Sequence, residues 1–282
     1  MFTLTGFADE IAMDLNVQMD TLEKLDIHHI EMRGVDGKNL SDCTIAEAKD
    51  IKRRLDERGF SLSAIGSPIG KIGIDQPFEA HLDKFKTVIE LAHIMQTRYI
   101  RMFSFFIPEG NSPDCYADEV FARWDGFLTA AKGSGLILLH ENEKGIYGDT
   151  AVRCKTLFDT MKNPALRATF DPANFVQCGI TPCPDAYKLL KPYIEYVHIK
   201  DARAADGTIV PAGQGDGTIP ELLAALKKDG YDGFLSLEPH LADFDGFSAL
   251  EKEADTNKAD KSMGGALFCL ATDALKTILN QL

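Results

Sequence analysis

The chain has 282 residues, 45% of them hydrophobic and 26% charged, with a formal net charge of −13 at pH 7. That composition suits a soluble globular chain with a sizeable core. The acidic balance argues against nucleic acid or an anionic membrane as the main partner, because phosphate-rich surfaces are held by basic ones. The first ten residues, Met1 to Glu10, lack a basic region and turn acidic at once, so no signal peptide is expected. No apolar run is long enough to span a bilayer, and a cytoplasmic location without a membrane partner is expected. The six cysteines (Cys43, Cys115, Cys154, Cys178, Cys183, Cys269) show neither Cys-x-x-Cys nor finger spacing and read as reduced thiols.

Short β-like runs alternate with helix-like stretches eight times. Phe2–Phe7 precedes a helix over Leu15–Leu25, with Asp14 placed to cap it. His28–Arg33 precedes a helix over Thr44–Arg58, and Ser61–Gly66 precedes one over Pro77–Met95, with Pro77 suited to a first turn. Arg98–Phe105 leads to Ala117–Lys132, and Leu136–Glu141 to Thr150–Met161. Arg167–Phe170 leads through an irregular stretch to Asp185–Leu190. Tyr193–Ile199 leads to Ile219–Lys228 behind the glycine-rich loop Gly213–Gly217, and Phe234–Leu237 to a last helix over Gly265–Leu279. Strict alternation predicts a parallel sheet, and eight units predict closure into a single (β/α)8 TIM barrel spanning residues 1–282. An open doubly wound sheet is the alternative, but the first βα turn lacks a Gly-x-Gly-x-x-Gly fingerprint. Residues 241–260, long and polar, follow the eighth strand and read either as a lid over the site or as a solvated insertion.

The chemistry gathers at strand ends. The fifth strand finishes in His140-Glu141-Asn142-Glu143, and an apolar strand that delivers two carboxylates and an imidazole suits a metal or a proton better than stability. The sixth runs into Asp171-Pro172-Ala173-Asn174, the seventh carries His198-Ile199-Lys200-Asp201, and the eighth ends in Glu238-Pro239-His240. Glu141, Asp171, His198 and Glu238 are spaced 30, 27 and 40 residues apart, each consistent with one βα unit. In a barrel they meet at the C-terminal rim, where three carboxylates require a compensating cation. The donor set favours Mn²⁺, with Mg²⁺, Co²⁺ or Zn²⁺ as alternatives.

These motifs, with Gly6-Phe7-Ala8-Asp9-Glu10 and Ile30-Glu31-Met32-Arg33, resemble the xylose isomerase-like barrels, in particular the sugar (phosphate) isomerase/epimerase branch. The resemblance implies metal ligands at Glu141, Asp171, His198 and Glu238. It also implies proton transfer through an enediolate, with Glu141 and Glu238 as the catalytic pair acting on a small carbohydrate. Glu143, Asn174, Lys200, Arg203 and His240 are the substrate-binding candidates. Asn174 stands where ketose epimerases often carry a histidine, which departs from a simple ketose 3-epimerase pattern. Ser67-Pro68-Ile69-Gly70-Lys71 offers amides and a lysine to a phosphate, and Arg33 and Arg101 are equal candidates for an anion. The same site serves a lyase or dehydratase if the enolate expels a β-leaving group. An AP-endonuclease-like nuclease requires a histidine-rich multi-zinc centre that the other histidines do not supply. A metal-free binding barrel is disfavoured by four intact ligand positions. Homo-oligomerisation is common among such barrels, and the sequence leaves it open.

Overall fold

Eight runs with strand periodicity become eight parallel strands, and the stretches between them supply the covering helices. The computed structural model describes residues 2–241 and 263–282. The barrel strands are β1 (Thr3–Gly6), β2 (His29–Met32), β3 (Ser61–Gly66), β4 (Tyr99–Met102), β5 (Ile137–Glu141), β6 (Leu166–Phe170), β7 (Ile194–Ile199) and β8 (Phe234–Leu237). From β2 to β8 each strand pairs in parallel with the next, and β8 returns to pair with β1. The remaining seam, between β1 and β2, is spanned by a parallel bridge from Phe7 to Glu31. The sheet curls into the expected (β/α)8 barrel.

Around it lie α1 (Leu15–Lys24), α2 (Ile45–Glu57), α3 (Glu79–Met95), α4 (Ala117–Ala130), α5 (Ala151–Met161), α6 (Pro172–Gln177), α7 (Tyr187–Leu190), α8 (Ile219–Lys228) and α9 (Gly264–Leu279). Local chemistry starts several of them. Asp14 accepts from the amides of Asn16 and Val17 at 2.9 and 3.1 Å, and Thr44 with Glu47 forms a capping box before α2. Phe127 on α4 is fully buried, with the rings of Phe78, Phe85, Phe105 and Trp124 at 5.0 to 5.9 Å. This aromatic packing joins α3 and α4 to each other and to the loop that follows β4.

Three elements depart from the sequence reading. β4 ends at Met102, because Phe103, Phe105 and Phe106 turn their amides to carbonyls of Ile69, Gly70 and Ile72 in the loop after β3. Pro77 precedes α3 by two residues and is not in its first turn. The stretch expected to be irregular after β6 begins with α6, whose first turn holds Pro172. The lid insertion expected at 241–260 lies, Leu241 apart, outside the described residues.

Inside the barrel the packing is partly polar. Ala64, Leu139 and Tyr196 form a small apolar cluster with Tyr99, Ile137 and Phe234. The β2–β3 register slips between Ile30–Leu62 and Glu31–Ala64, leaving Ser63 as an extra residue. Ser63 Oγ shares hydrogen bonds with Thr5 Oγ1 at 2.7 Å and Tyr196 Oη at 2.8 Å, directly below the ring of polar side chains at the rim.

Candidate metal centre

Strand alternation separates His140 from Glu141. His140 faces the helices, its Nε2 2.9 Å from Ser104 Oγ and its ring against Trp124 and Phe158. Burial pushes its pKa down to about 3, so it is a neutral core residue. The imidazole expected at the end of β5 therefore stands outside the site. Glu141 faces inward and is 1% exposed.

The centre assembles around His198. Its Nδ1 lies 3.1 Å from Glu141 Oε1, 3.3 Å from Glu238 Oε2 and 3.7 Å from Asp171 Oδ2. One ligand atom from each of these four residues falls within 4.8 Å of all the others, and all four side chains are buried. Asp171 divides its oxygens: Oδ1 accepts the Asn174 amide at 2.8 Å and caps α6, while Oδ2 turns to the cluster. Asp171 Oδ2 is 2.9 Å from Lys200 Nζ in an ion pair whose geometry makes no hydrogen bond. Asn142 pins the Asp171 backbone from both sides, accepting its N–H and donating to its C=O. Buried carboxylate oxygens converging on one imidazole nitrogen fit a hard or borderline divalent ion.

Electrostatics keeps Glu141 and Glu238 ionised despite burial. Desolvation raises the pKa of Glu141, but His198 and Arg101 outweigh it and bring it to about 2. Burial also opposes ionisation of Glu238, yet Lys200, His240 and His198 hold it well below the usual carboxylate range. Arg101 Nη1 is 2.9 Å from Glu141 Oε2, and Arg33 Nη1 is 3.3 Å from Glu238 Oε1. Each glutamate thus points one oxygen at the cluster and the other at a guanidinium. His198 is held well above its ordinary pKa: burial lowers it, and Glu141, Glu31 and Glu238 more than reverse that. A divalent ion bound at Nδ1 would take the place of a proton there.

The xylose isomerase-like TIM barrel family model matches residues 19–260. The chain belongs to this family. A comparison with curated proteins gives no match. Among solved structures, the chain resembles the probable 3-DHS dehydratase AsbF of petrobactin synthesis from Bacillus anthracis, at 17% identity and TM-score 0.73, covering 98% of this chain and 99% of that one. It also resembles an IOLI protein with a bound zinc atom, at 15% identity and TM-score 0.75, covering 99% of both chains. A third is D-psicose 3-epimerase with D-tagatose from Clostridium cellulolyticum H10, at 14% identity and TM-score 0.74, again covering 99% of both. At these identities the likeness is one of fold.

Within this xylose isomerase-like barrel the remaining predicted residues separate. Lys200 is buried, with Nζ 2.9 Å from Asp171 and 3.1 Å from Glu238. Asn174 Nδ2 lies 3.3 Å from Glu141 Oε1 and donates to Asn142 O at 2.9 Å, so it holds a cluster residue in place. Glu143 pairs with Lys71 at 3.2 Å on the rim. His240 lies 3.4 Å from Glu238 and 3.5 Å from Glu10, and its amide donates to Glu10 at 2.7 Å. Arg203 is exposed at the head of a hairpin formed by Asp201–Ala202 and Ile209–Val210, away from the cluster. Asp201 ties that hairpin down by accepting the amides of Ala202, Gly213, Gly215 and Gly217.

The loop Ser67–Lys71 has few amides left for a phosphate. Gly70 donates to His81 Nε2 at 2.7 Å, Lys71 to Pro68 O, and Ile69 to Ser67 Oγ. Gly70 has φ +91° and sits so close to the Phe103 backbone that a Cβ would meet Phe103 O at 2.1 Å. Arg33 is chelated by Asp9 at 2.8 and 3.0 Å and so belongs to the rim scaffold. Glu10 and Asn142 were not among the sequence-derived site residues, whereas Arg33 and Arg101, read from the sequence as candidates for an anion, pair with buried carboxylates of the chain itself. The signal for Glu10 and Asn142 was a charge or an amide in the short segment that follows an apolar strand. No helix among the described residues is long and apolar enough to cross a membrane.

Proposed function

We propose that the chain is a divalent-metal-dependent isomerase or epimerase acting on a sugar or sugar phosphate. The supporting observation is the pair Glu141 and Glu238. Each directs one oxygen at His198 Nδ1, at 3.1 and 3.3 Å, and has the other beside an arginine. A divalent ion held by Glu141, Asp171, His198 and Glu238 supplies Lewis acidity toward a carbonyl and its neighbouring hydroxyl, which acidifies the C–H between them. Mn²⁺ is the first choice for three carboxylates and one imidazole, with Zn²⁺, Co²⁺ and Mg²⁺ as alternatives. Glu141 removes the proton from one side, and Glu238 returns it to the opposite side or to the adjacent carbon. Return to the same carbon epimerises; return to the next carbon isomerises. Lys200, among Asp171 and Glu238, donates to the oxygen on which negative charge develops. Asn174 and His240 keep Glu141 and Glu238 in line, and Glu143 completes the rim.

A dehydratase reading rests on the same cluster. In that reading His240, 3.4 Å from Glu238, would protonate a departing hydroxyl, and one of the structures of similar fold is that of a probable 3-DHS dehydratase. Product analysis separates the two, because elimination changes the composition of the substrate and proton return does not. The test is metal content followed by proton exchange in D₂O with ketoses, inososes and 3-keto glycosides. About one divalent ion per chain, lost in Glu141→Gln and Glu238→Gln together with exchange, is the expected result. A wild-type protein that takes up no metal after soaking would overturn the reading and leave a binding barrel.

A further inference from the structure

The rim cluster is supported from beneath by a carboxylate that offers it no ligand atom. Glu31 on β2 is fully buried. His198 Nε2, the nitrogen turned away from the cluster, lies 3.1 Å from Glu31 Oε2 and 3.4 Å from Oε1. Ser236 Oγ donates to the same Oε2 at 2.6 Å, and Ser236 stands in register with His198 across β8 and β7. The His198 ring is also met edge-on by Phe7 at 5.3 Å and by Tyr196 at 5.9 Å. Glu31 sits where the β2–β3 register slips and where the one bridge of the β1–β2 seam is made. A register slip of this kind re-aims a side chain, and here it accompanies a carboxylate placed below the rim.

We propose that Glu31 is a positioning residue for the candidate metal centre: by accepting the Nε2–H of His198 it leaves Nδ1 to the ion and holds the ring plane toward Glu141, Asp171 and Glu238. The proposal rests on the metal reading of this site. A neutral imidazole carries one proton, and its location is set by the acceptor that the other nitrogen does not face. With no acceptor at Nε2, the proton is drawn to Nδ1 by the three carboxylates there, and the ligand nitrogen is blocked. An outer carboxylate also raises the donor strength of the imidazole, an effect of roughly 10- to 100-fold in metal affinity in comparable sites.

The test is chelator-competition titration of Zn²⁺ into wild type, Glu31→Gln, Glu31→Leu and Ser236→Ala, with ¹⁵N-histidine NMR of the Zn²⁺-loaded proteins. The expected result is a loss of affinity of about 10-fold in Glu31→Gln, greater in Glu31→Leu and smaller in Ser236→Ala. Wild type should show a downfield, slowly exchanging Nε2–H, identified by its absence in His198→Asn, which moves upfield in Glu31→Gln. The amide variant has the shape of the native residue, so it carries the test if Glu31→Leu does not fold. Unchanged affinity and an unmoved Nε2–H in Glu31→Gln would overturn the role of Glu31 alone. Failure of wild type to take up Zn²⁺ or Mn²⁺ would instead overturn the metal reading and this role with it.

Discussion

Arg101 donates from Nη1 to Oε2 of Glu141 at 2.9 Å, joining the inner face of β4 to that of β5 with both side chains buried. The guanidinium also lies over the rings of Phe7 and Phe103, at 5.1 and 4.7 Å from their centroids. Removing it leaves a buried carboxylate short of one cation, which is costlier than never having built the pair. Arg101→Met should lower stability by about 3 kcal/mol, measured by urea unfolding of the metal-free protein. Arg101→Lys should recover part of that loss. A Met variant as stable as wild type would show that His198 alone compensates Glu141.

Asp171 carries two tasks that substitution can divide. Asn caps helices about as well as Asp, so Asp171→Asn should retain the bond from the Asn174 amide while losing the charge turned to the cluster. Asp171→Ala loses both. The two variants should differ by about 1 kcal/mol in stability, and both should bind Mn²⁺ far more weakly than wild type in a direct titration. Equal stability would mean that the cap contributes nothing to α6.

That division also explains what could be read in advance. Asp171-Pro172 reads as a cap with proline in a first turn, and equally as a strand-end ligand. Asp171 does cap α6 and does turn Oδ2 to the cluster, but α6 has only six residues, too few for a periodic pattern to announce it. The four cluster residues were legible because each stands one βα unit from the next, and barrel closure maps that spacing onto one rim. Glu31 was not legible as a partner of His198, because 167 residues separate them and only curling of the sheet brings them together. His140 misled for a local reason: neighbouring residues on a strand face opposite ways, so a charged run at a strand end is divided between two environments. Arg203 follows Asp201, whose four amide bonds turn the chain into a surface hairpin.

One buried histidine, His140, and one half-buried, His81, make the fold sensitive to acid. Burial, with Lys84 and Arg123 nearby, lowers the pKa of His81 from 6.5 to about 4, and burial lowers that of His140 to about 3. Both folded values lie below the ordinary one, so the unfolded chain binds these protons more readily between them. Their contribution is complete above the ordinary value and is lost as pH falls toward the folded values. His81 also accepts the Gly70 amide at Nε2, a bond that a protonated ring cannot keep. The slope of unfolding free energy against pH between 6 and 4.5 should therefore flatten by about one proton in His81→Asn. An unchanged slope would place the acid sensitivity elsewhere.

The glycine-rich loop before α8 has the composition of an anion cradle but already holds an anion of its own. Gly213, Gly215 and Gly217 give their amides to Asp201 at 2.8, 3.0 and 2.8 Å, and Ala202 adds a fourth at 2.9 Å. Hydrogen bonds to a charged acceptor contribute roughly 1.5–3 kcal/mol each, and leaving several donors without one is costly. Asp201→Ala should cost about 3 kcal/mol or more in urea unfolding, with Asp201→Asn intermediate. Hydrogen exchange gives the sharper reading. The three glycine amides should be protected in wild type and exchange rapidly in the Ala variant, while the strand amides of β7 keep their protection. Slow exchange of all three in Asp201→Ala would mean that the loop is held by its own backbone and that Asp201 is incidental to it.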